Sequence, residues 1–335
     1  MFRRKVFAVI SALLVLAGVV GTSGLAGAAS SGGSVGGNAL RISPVRQDLV
    51  IKAGTSQTVD VFVENLTSAP AGLEGIVNDF TASADESGTP KILLDKNAYA
   101  PSHGLKRYVS TIGSFTLAAK EQKNIKVTIT IPKDAAGGGY FGAVRFAPSS
   151  TNSNKNLSLS ASVGSLLLVT VPGNITEQVG VAGFNVGKGD KAGTFFTNSK
   201  GLNSFVRFQN SGNVQEYPFG KIALKKSGKV LQTVEINSTD PRGAVLPDSI
   251  RKFATSFDGK ANSFGKYTLE GNFGYGTKGQ LLSAKTTFYV VPVPYLIGAL
   301  VVVLLILLAI FVPRLMKKHD RKLLSKAANR PKARR

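Results

Sequence analysis

The sequence predicts an all-β chain: two tandem immunoglobulin-like β-sandwiches, with an N-terminal signal peptide and one C-terminal transmembrane helix. Three observations carry this expectation. Short alternating apolar segments recur between Gly-, Pro- and Asn-containing turns from about residue 40 to residue 290. No amphipathic helix of usable length interrupts them. Each end of the chain holds an apolar run flanked by Lys and Arg.

The elements follow in chain order. Arg3, Arg4 and Lys5 precede an apolar stretch over residues 6–20, and Ala26-Gly27-Ala28 offers the small residues a signal peptidase requires, so residues 1–29 read as a secretory signal. Residues 30–38 (SSGGSVGGN, from Ser30) form a flexible Gly/Ser linker. A first sandwich is expected over residues 39–173. Residues 58–63 (TVDVFV) alternate, residues 71–80 are extended, and residues 125–131 (IKVTITI) put Ile125, Val127, Ile129 and Ile131 on one face. Gly137-Gly138-Gly139 reads as a turn into residues 140–146 (YFGAVRF), and residues 157–171 form a long strand or strand pair. Pro172-Gly173-Asn174 marks a boundary. The second sandwich, residues 174–291, repeats the pattern at 204–209, 220–224, 230–236, 250–257, 265–271 and 284–291. Such a series of short strands fits a sandwich without the core Trp or disulfide of antibody domains, since the chain has neither Trp nor Cys.

Residues 292–313 supply the ~20 apolar residues needed to cross a bilayer. The basic tail that follows, residues 314–335, is expected in the cytoplasm, which leaves the sandwiches outside the cell membrane. This topology accounts for most of the formal net charge of +22. The residues before the first apolar run carry +3, the segment after Pro313 carries +9, and the body between carries only +10. The basicity is therefore chiefly topological, and nucleic acid is not an expected partner. Within the body, residues 31–173 hold +3 and residues 174–293 hold +7, so the membrane-proximal unit is the more basic.

Little in the sequence points to catalysis. With no Cys and two His there is no thiolate site and almost no material for a His-based metal centre or triad, so neither enzyme activity nor a cofactor is expected. Asn78-Asp79-Phe80 and Asp85-Glu86 bring carboxylates close in sequence, but they match no calcium loop and read as solvated turn residues. A hydrolase built on Asp79 and Asp85 is the least favoured function. The Gly137–139 run lacks the following Lys-Ser/Thr and helix of a phosphate loop. Four Asn-X-Ser/Thr sequences, beginning at Asn65, Asn156, Asn174 and Asn237, arise readily by chance in an Asn/Ser/Thr-rich chain. The candidate ligand-binding residues are Tyr99, His103, Lys106, Arg107 and Tyr108, which place aromatic, imidazole and cationic groups in one loop able to stack on a sugar or pair with a polyanion.

Several short motifs resemble a known family. Leu40-Arg41-Ile42-Ser43-Pro44, the Ala53-Gly54 turn, residues 125–132, and Gly138-Gly139-Tyr140-Phe141-Gly142-Ala143 with the strand ending at Pro172-Gly173 resemble the peptidoglycan-binding domain of WxL-interacting cell-surface proteins. Phe208-Gln209-Asn210-Ser211-Gly212-Asn213, Leu246-Pro247-Asp248-Ser249-Ile250-Arg251 and Gly265-Lys266-Tyr267-Thr268 resemble the membrane-proximal immunoglobulin-like domain beside it. The resemblance implies contact with peptidoglycan by the first domain and with surface proteins by the second. The expected function is a membrane-anchored, non-enzymatic binding or adhesion protein whose partner is a cell-wall polymer or a surface protein. The alternative is a stalk or scaffold that pairs through a strand edge.

Overall fold

The computed structural model describes residues 39–149, 162–189, 191–257 and 259–328, with backbone alone at residues 315, 316 and 318–328. The expected signal peptide and the whole of the linker lie outside the described residues.

Among the described residues, nine strands build the first sandwich: β1 (Leu40–Ser43), β2 (Arg46–Val50), β3 (Ser56–Asn65), β4 (Ala71–Ala82), β5 (Pro90–Ile92), β6 (Ser114–Leu117), β7 (Gln122–Thr130), β8 (Gly138–Pro148) and β9 (Val163–Val171). One sheet runs β1-β3-β7, and the other runs β2-β9-β8-β4 with β5 and β6 both paired to β4. Pairing is antiparallel except for β2 with β9. The period-2 pattern decides which side of each strand is buried. Val59, Val61 and Val63 of β3 and Val127 and Ile129 of β7 face Phe146 of β8 and Leu167 and Val169 of β9 in one core. Asp60 lies between the buried valines of β3 and is exposed, as alternation requires.

β8 and β9 break the alternation. Phe141, Gly142, Ala143 and Val144 are buried in succession, as are Leu167, Leu168 and Val169. Both faces of these strands are therefore covered, and an uninterrupted apolar run is the sequence form of that condition. Asn78, Asp79 and Phe80 lie inside β4 and are buried, so the expectation of solvated turn residues there is corrected.

The second sandwich contains β10 (Val179–Lys188), β11 (Lys191–Ala192), β12 (Phe195–Phe196), β13 (Leu202–Asn210), β14 (Phe219–Lys226), β15 (Lys229–Ile236), β16 (Ser249–Ser256), β17 (Gly265–Tyr275) and β18 (Gln280–Val290). Its sheets run β11-β10-β13-β16 and β12-β18-β17-β14-β15. The core is aromatic: Phe208 meets Phe273 edge-on at 5.0 Å, and Tyr267 stacks on Phe288 at 5.4 Å. The Tyr267 hydroxyl donates to the Ser263 carbonyl at 2.9 Å, which satisfies the one polar atom the ring carries inward. β10 was missed by pattern reading because a bulge between Val181 and Gly183 shifts its register and interrupts the alternation.

Asparagines fasten the turns. Asn65, Asn210 and Asn237 each donate twice through Nδ2 to loop carbonyls and accept a backbone N–H at Oδ1. The sequons at Asn65 and Asn237 thus spend their amides on the fold.

After β18 comes α1 (Val293–Ala328). Its segment Val293–Arg314 is long and apolar enough to cross a membrane, and none of it is buried against the protein. A helix of a soluble domain would bury a stripe, and this one presents Leu, Val and Ile on all sides. The helix continues through Pro313, so the first part of the basic tail extends the same helix.

Candidate functional site

The loop that carries the sequence-predicted residues is built around one carboxylate. Asp79 is fully buried. Its Oδ2 accepts the Ala100 N–H at 2.9 Å and its Oδ1 accepts the Lys106 N–H at 2.7 Å. Gly104 lies so close that a Cβ there would sit 2.7 Å from Asp79 Oδ2. Charge-assisted bonds to two backbone donors fix both ends of the segment 100–106. Asp85, by contrast, is exposed and caps its own turn by accepting the Ser87 N–H at 3.0 Å. Asp79 and Asp85 are therefore not two carboxylates facing a shared cleft.

The five predicted residues divide into two groups. Tyr99 is 53% exposed, with Lys106 Nζ 4.4 Å and the Arg107 guanidinium 5.4 Å from its ring centre. The Lys106 ammonium also donates to the Ala98 carbonyl at 3.0 Å and to that of Lys96, which holds it over the ring. Arg107 is exposed. These three form one cationic, aromatic surface patch. His103 and Tyr108 serve the fold. His103 Nδ1 bonds the Gly139 carbonyl at 2.7 Å and its ring lies 5.9 Å from that of Phe141, while Tyr108 meets Tyr140 edge-on at 5.7 Å. His103 also holds a φ of 57°, a left-handed conformation that the surrounding bonds enforce.

A second feature escaped sequence reading. The outer face of β4, β8 and β9 is covered by the second sandwich: Phe80, Phe141, Ala143 and Leu168 form an apolar cluster against Ala244 and Leu246. Polar contacts surround that cluster. Glu86 takes both Nε (2.7 Å) and Nη2 of Arg207, and its carbonyl accepts the Lys252 N–H at 2.8 Å. Tyr217 donates to Asp48 at 2.6 Å, and Arg46 donates to the Arg242 carbonyl at 2.7 Å. Gly138 and Gly139 open β8 directly against the second sandwich. A Cβ on Gly138 would meet the Asn213 carbonyl at 2.8 Å, and its φ of 146° excludes most other residues. The Gly-rich run is thus a point of close approach between the two backbones. The signal available in the sequence was the unbroken apolar runs at 141–144 and 166–169.

The seam holds a partly open pocket of about 70 Å³, lined by Arg46, Arg251, Phe80, Leu168 and Leu246 among others. The Nε atoms of both arginines are buried without a protein partner. Burial, and the nearby charge of Arg46, lower the pKa of Arg251.

At another edge of the seam, Glu216 is buried and accepts the Gly276 N–H at 3.0 Å, while Glu177 accepts the Thr277 N–H. Burial, with the Glu177 charge nearby, pushes the Glu216 pKa up to about 7. Both carboxylates clasp the β17–β18 turn. Among the described residues, no group of three or more His, Cys, Asp or Glu is placed to hold a metal ion.

No protein-family model matches the chain, and no curated protein matches it. Among solved structures it is similar to a class 5 fimbriae chaperone, CfaA, at 15% identity, covering 74% of this chain and 98% of that one with a TM-score of 0.38. It is also similar to a chain of a chaperone–tip adhesin complex of CFA/I fimbriae, at 15% identity, 76% and 99% coverage and a TM-score of 0.37. A third is a chain of the Salmonella enterica SafA pilin–SafB chaperone complex, at 14% identity, 75% and 96% coverage and a TM-score of 0.30.

Proposed function

We propose that this chain is a membrane-anchored, non-enzymatic binding protein of the cell surface, whose first sandwich contacts an anionic cell-wall polymer through Tyr99, Lys106 and Arg107. The helix α1 holds the protein in the cell membrane, with the sandwiches outside and the basic end inside, following the distribution of Lys and Arg. The observation that carries the reading is the pair of cations set over one exposed ring, on a loop fastened by a buried carboxylate. A flat aromatic face accepts a sugar ring, a guanidinium pairs with a carboxylate or phosphate, and the Lys106 ammonium is already held in place by two carbonyls. The motifs that resemble WxL-interacting proteins point the same way.

The test uses the full chain in detergent or lipid discs, sedimented with isolated cell wall. Binding should be sensitive to salt. Tyr99→Ala together with Arg107→Gln should lower it by about tenfold or more, while leaving the melting temperature nearly unchanged, because both side chains are exposed. Sedimentation that survives both changes would sink the proposal.

One observation favours the scaffold reading. β15 ends its sheet, and Val230 and Leu231 on it are exposed apolar residues. An unprotected edge of this kind pairs readily with a foreign strand. Crosslinking in intact cells that captured a single surface protein through β15, with no wall attached, would favour it.

A further inference from the structure

Lysines concentrate at one end of the second sandwich, while Lys221, Lys252 and Lys285 lie along its sheets and Lys278 in the turn at the opposite end. Strand register places the end of β14, the start of β15, the start of β17 and the end of β18 together: Lys226 pairs with Tyr267 and Lys229, and Gly265 pairs with Val290. α1 begins three residues beyond Val290. On the opposing sheet, Lys188 pairs with Leu202 and Asn203 pairs with Ser256, and the Phe257 N–H donates to the Leu202 carbonyl, so these strand ends share the same side. Lys191, Lys200, Lys229, Lys260 and Lys266 are all exposed at this base. Asp190 and Asp258 lie outside the described residues. Of the described carboxylates, Glu177, Glu216, Asp240 and Asp248 belong to the other end, toward the first sandwich, and Glu235 and Glu270 lie along the sheet, paired with Lys221, Lys225 and Lys285.

The same base displays aromatic rings where a soluble domain would bury them. Phe195 is 70% exposed and stacks on Tyr289 at 5.1 Å. Phe264 is 54% exposed and lies 5.3 Å from Tyr295, in the first turn of α1. Lys226 Nζ donates to Ser263 Oγ at 2.6 Å and to the Phe264 carbonyl at 3.0 Å, which holds the loop beside the helix. Aromatic rings at the start of an apolar helix, ringed by ammonium groups, match the chemical order of a bilayer surface: acyl chains, then glycerol, then phosphate.

We infer that the base of the second sandwich rests on the membrane from which α1 emerges, with Phe195, Phe264, Tyr289 and Tyr295 at headgroup depth and Lys229, Lys260 and Lys266 on anionic lipid phosphates. The occupant is the lipid surface because the face is continuous with the membrane-crossing helix and its charge is complementary to anionic headgroups. The inference rests on the reading of α1 as a bilayer-crossing segment. It gives the second sandwich a role of its own: it fixes the ectodomain upright or tilted on the membrane, so that the patch at Tyr99 is held at a set height.

The chain has no Trp, so Phe264→Trp introduces a single indole at an exposed position. The full chain carrying this change is reconstituted in vesicles of phosphatidylcholine alone or mixed with phosphatidylglycerol, and quenching by brominated acyl chains is read. Tyr99→Trp serves as the distant reference, and Phe195→Trp as a second reporter should the first fold poorly. Quenching is expected at 264 and not at 99, and stronger in the anionic mixture. Lys229→Gln, Lys260→Gln and Lys266→Gln should each lower the docked fraction by about fivefold. Equal quenching at 264 and 99, or quenching indifferent to both lipid charge and the three lysines, overturns the inference. So does an unquenched indole with Lys229 or Lys266 crosslinked to a surface protein in cells. Vesicle flotation separates the two readings: a chain that floats with an unquenched indole loses this inference alone, and a chain that does not float loses the membrane reading as well.

Discussion

The sheet β2-β9-β8-β4 has two apolar faces, and they differ in kind. Its inner face meets β3 and β7 through Val144, Phe146, Leu167 and Val169, in one continuous apolar core. Its outer face meets the second sandwich through four buried residues, and that small cluster is bordered by the Glu86–Arg207 ion pair, hydrogen bonds and glycine backbones. The inner face has the composition of a domain core. The outer face has that of an interface, apolar at the centre and polar at the rim. Apolar burial on the inner side supplies stability without direction, whereas the polar rim on the outer side fixes how one sandwich sits on the other.

This contrast gives three ways to test it, from the largest effect to the smallest. Phe146→Ala on the inner face should cost about 3–5 kcal/mol, read by denaturant titration of the whole chain. Leu168→Ala on the outer face should cost about 2–3 kcal/mol and split one calorimetric transition into two, because it loosens the seam and leaves each core intact. A single transition for both variants would erase the distinction between core and interface.

The second test uses pH. The folded protein raises the Glu216 pKa from the usual glutamate value to about 7, so the folded state binds a proton more tightly than the unfolded state. The stability contributed by this group is complete below the unfolded value and is lost as pH rises through about 7. Glu216→Gln removes the dependence, and relative to that variant the parent chain should lose at most about 3 kcal/mol between pH 5 and pH 8. Melting curves of the two proteins that stay parallel across this range would break the assignment.

Glu86 works in the opposite direction. The hydrogen bond and charge of Arg207 hold its carboxyl below the usual glutamate range, so its contribution is present above that range and disappears as pH falls through the depressed value. The pair is partly exposed, and Glu86→Gln should cost only about 1 kcal/mol. The sharper readout is hydrogen exchange: the Lys252 N–H, which donates to the Glu86 carbonyl, should exchange faster while amides in both cores do not change. Faster exchange throughout both cores would mean that the pair supports the sandwiches themselves.

Much of the architecture was legible because alternation is a local property. Residues 58–63 and 125–131 show it plainly, and the structure buries Val59, Val61, Val63, Val127, Ile129 and Ile131. β10 was not legible, since a bulge inserts a residue and destroys the period. The candidate patch was half legible. Tyr99, Lys106 and Arg107 do come together, but His103 and Tyr108 were drawn into the sheet by Gly139, Phe141 and Tyr140, residues more than thirty positions away. Asp79 reads as a solvated acid in isolation and is a buried fastener in context, because its two partners arrive from a loop 21 and 27 residues later.

The sequence by itself determined the β character of both sandwiches and the single apolar helix, since period, turn chemistry and run length are all written within a dozen residues. It also determined the total charge. Only the tertiary structure decided where that charge stands. Strand register gathers lysines separated by up to 75 positions, from Lys191 to Lys266, at the base beside α1, and leaves Glu177 and Glu216 at the seam. The tertiary structure likewise decided that the outer face of β8 and β9 would be covered. A strand specifies which of its faces are apolar, and what comes to cover them depends on the packing of a segment about a hundred residues away.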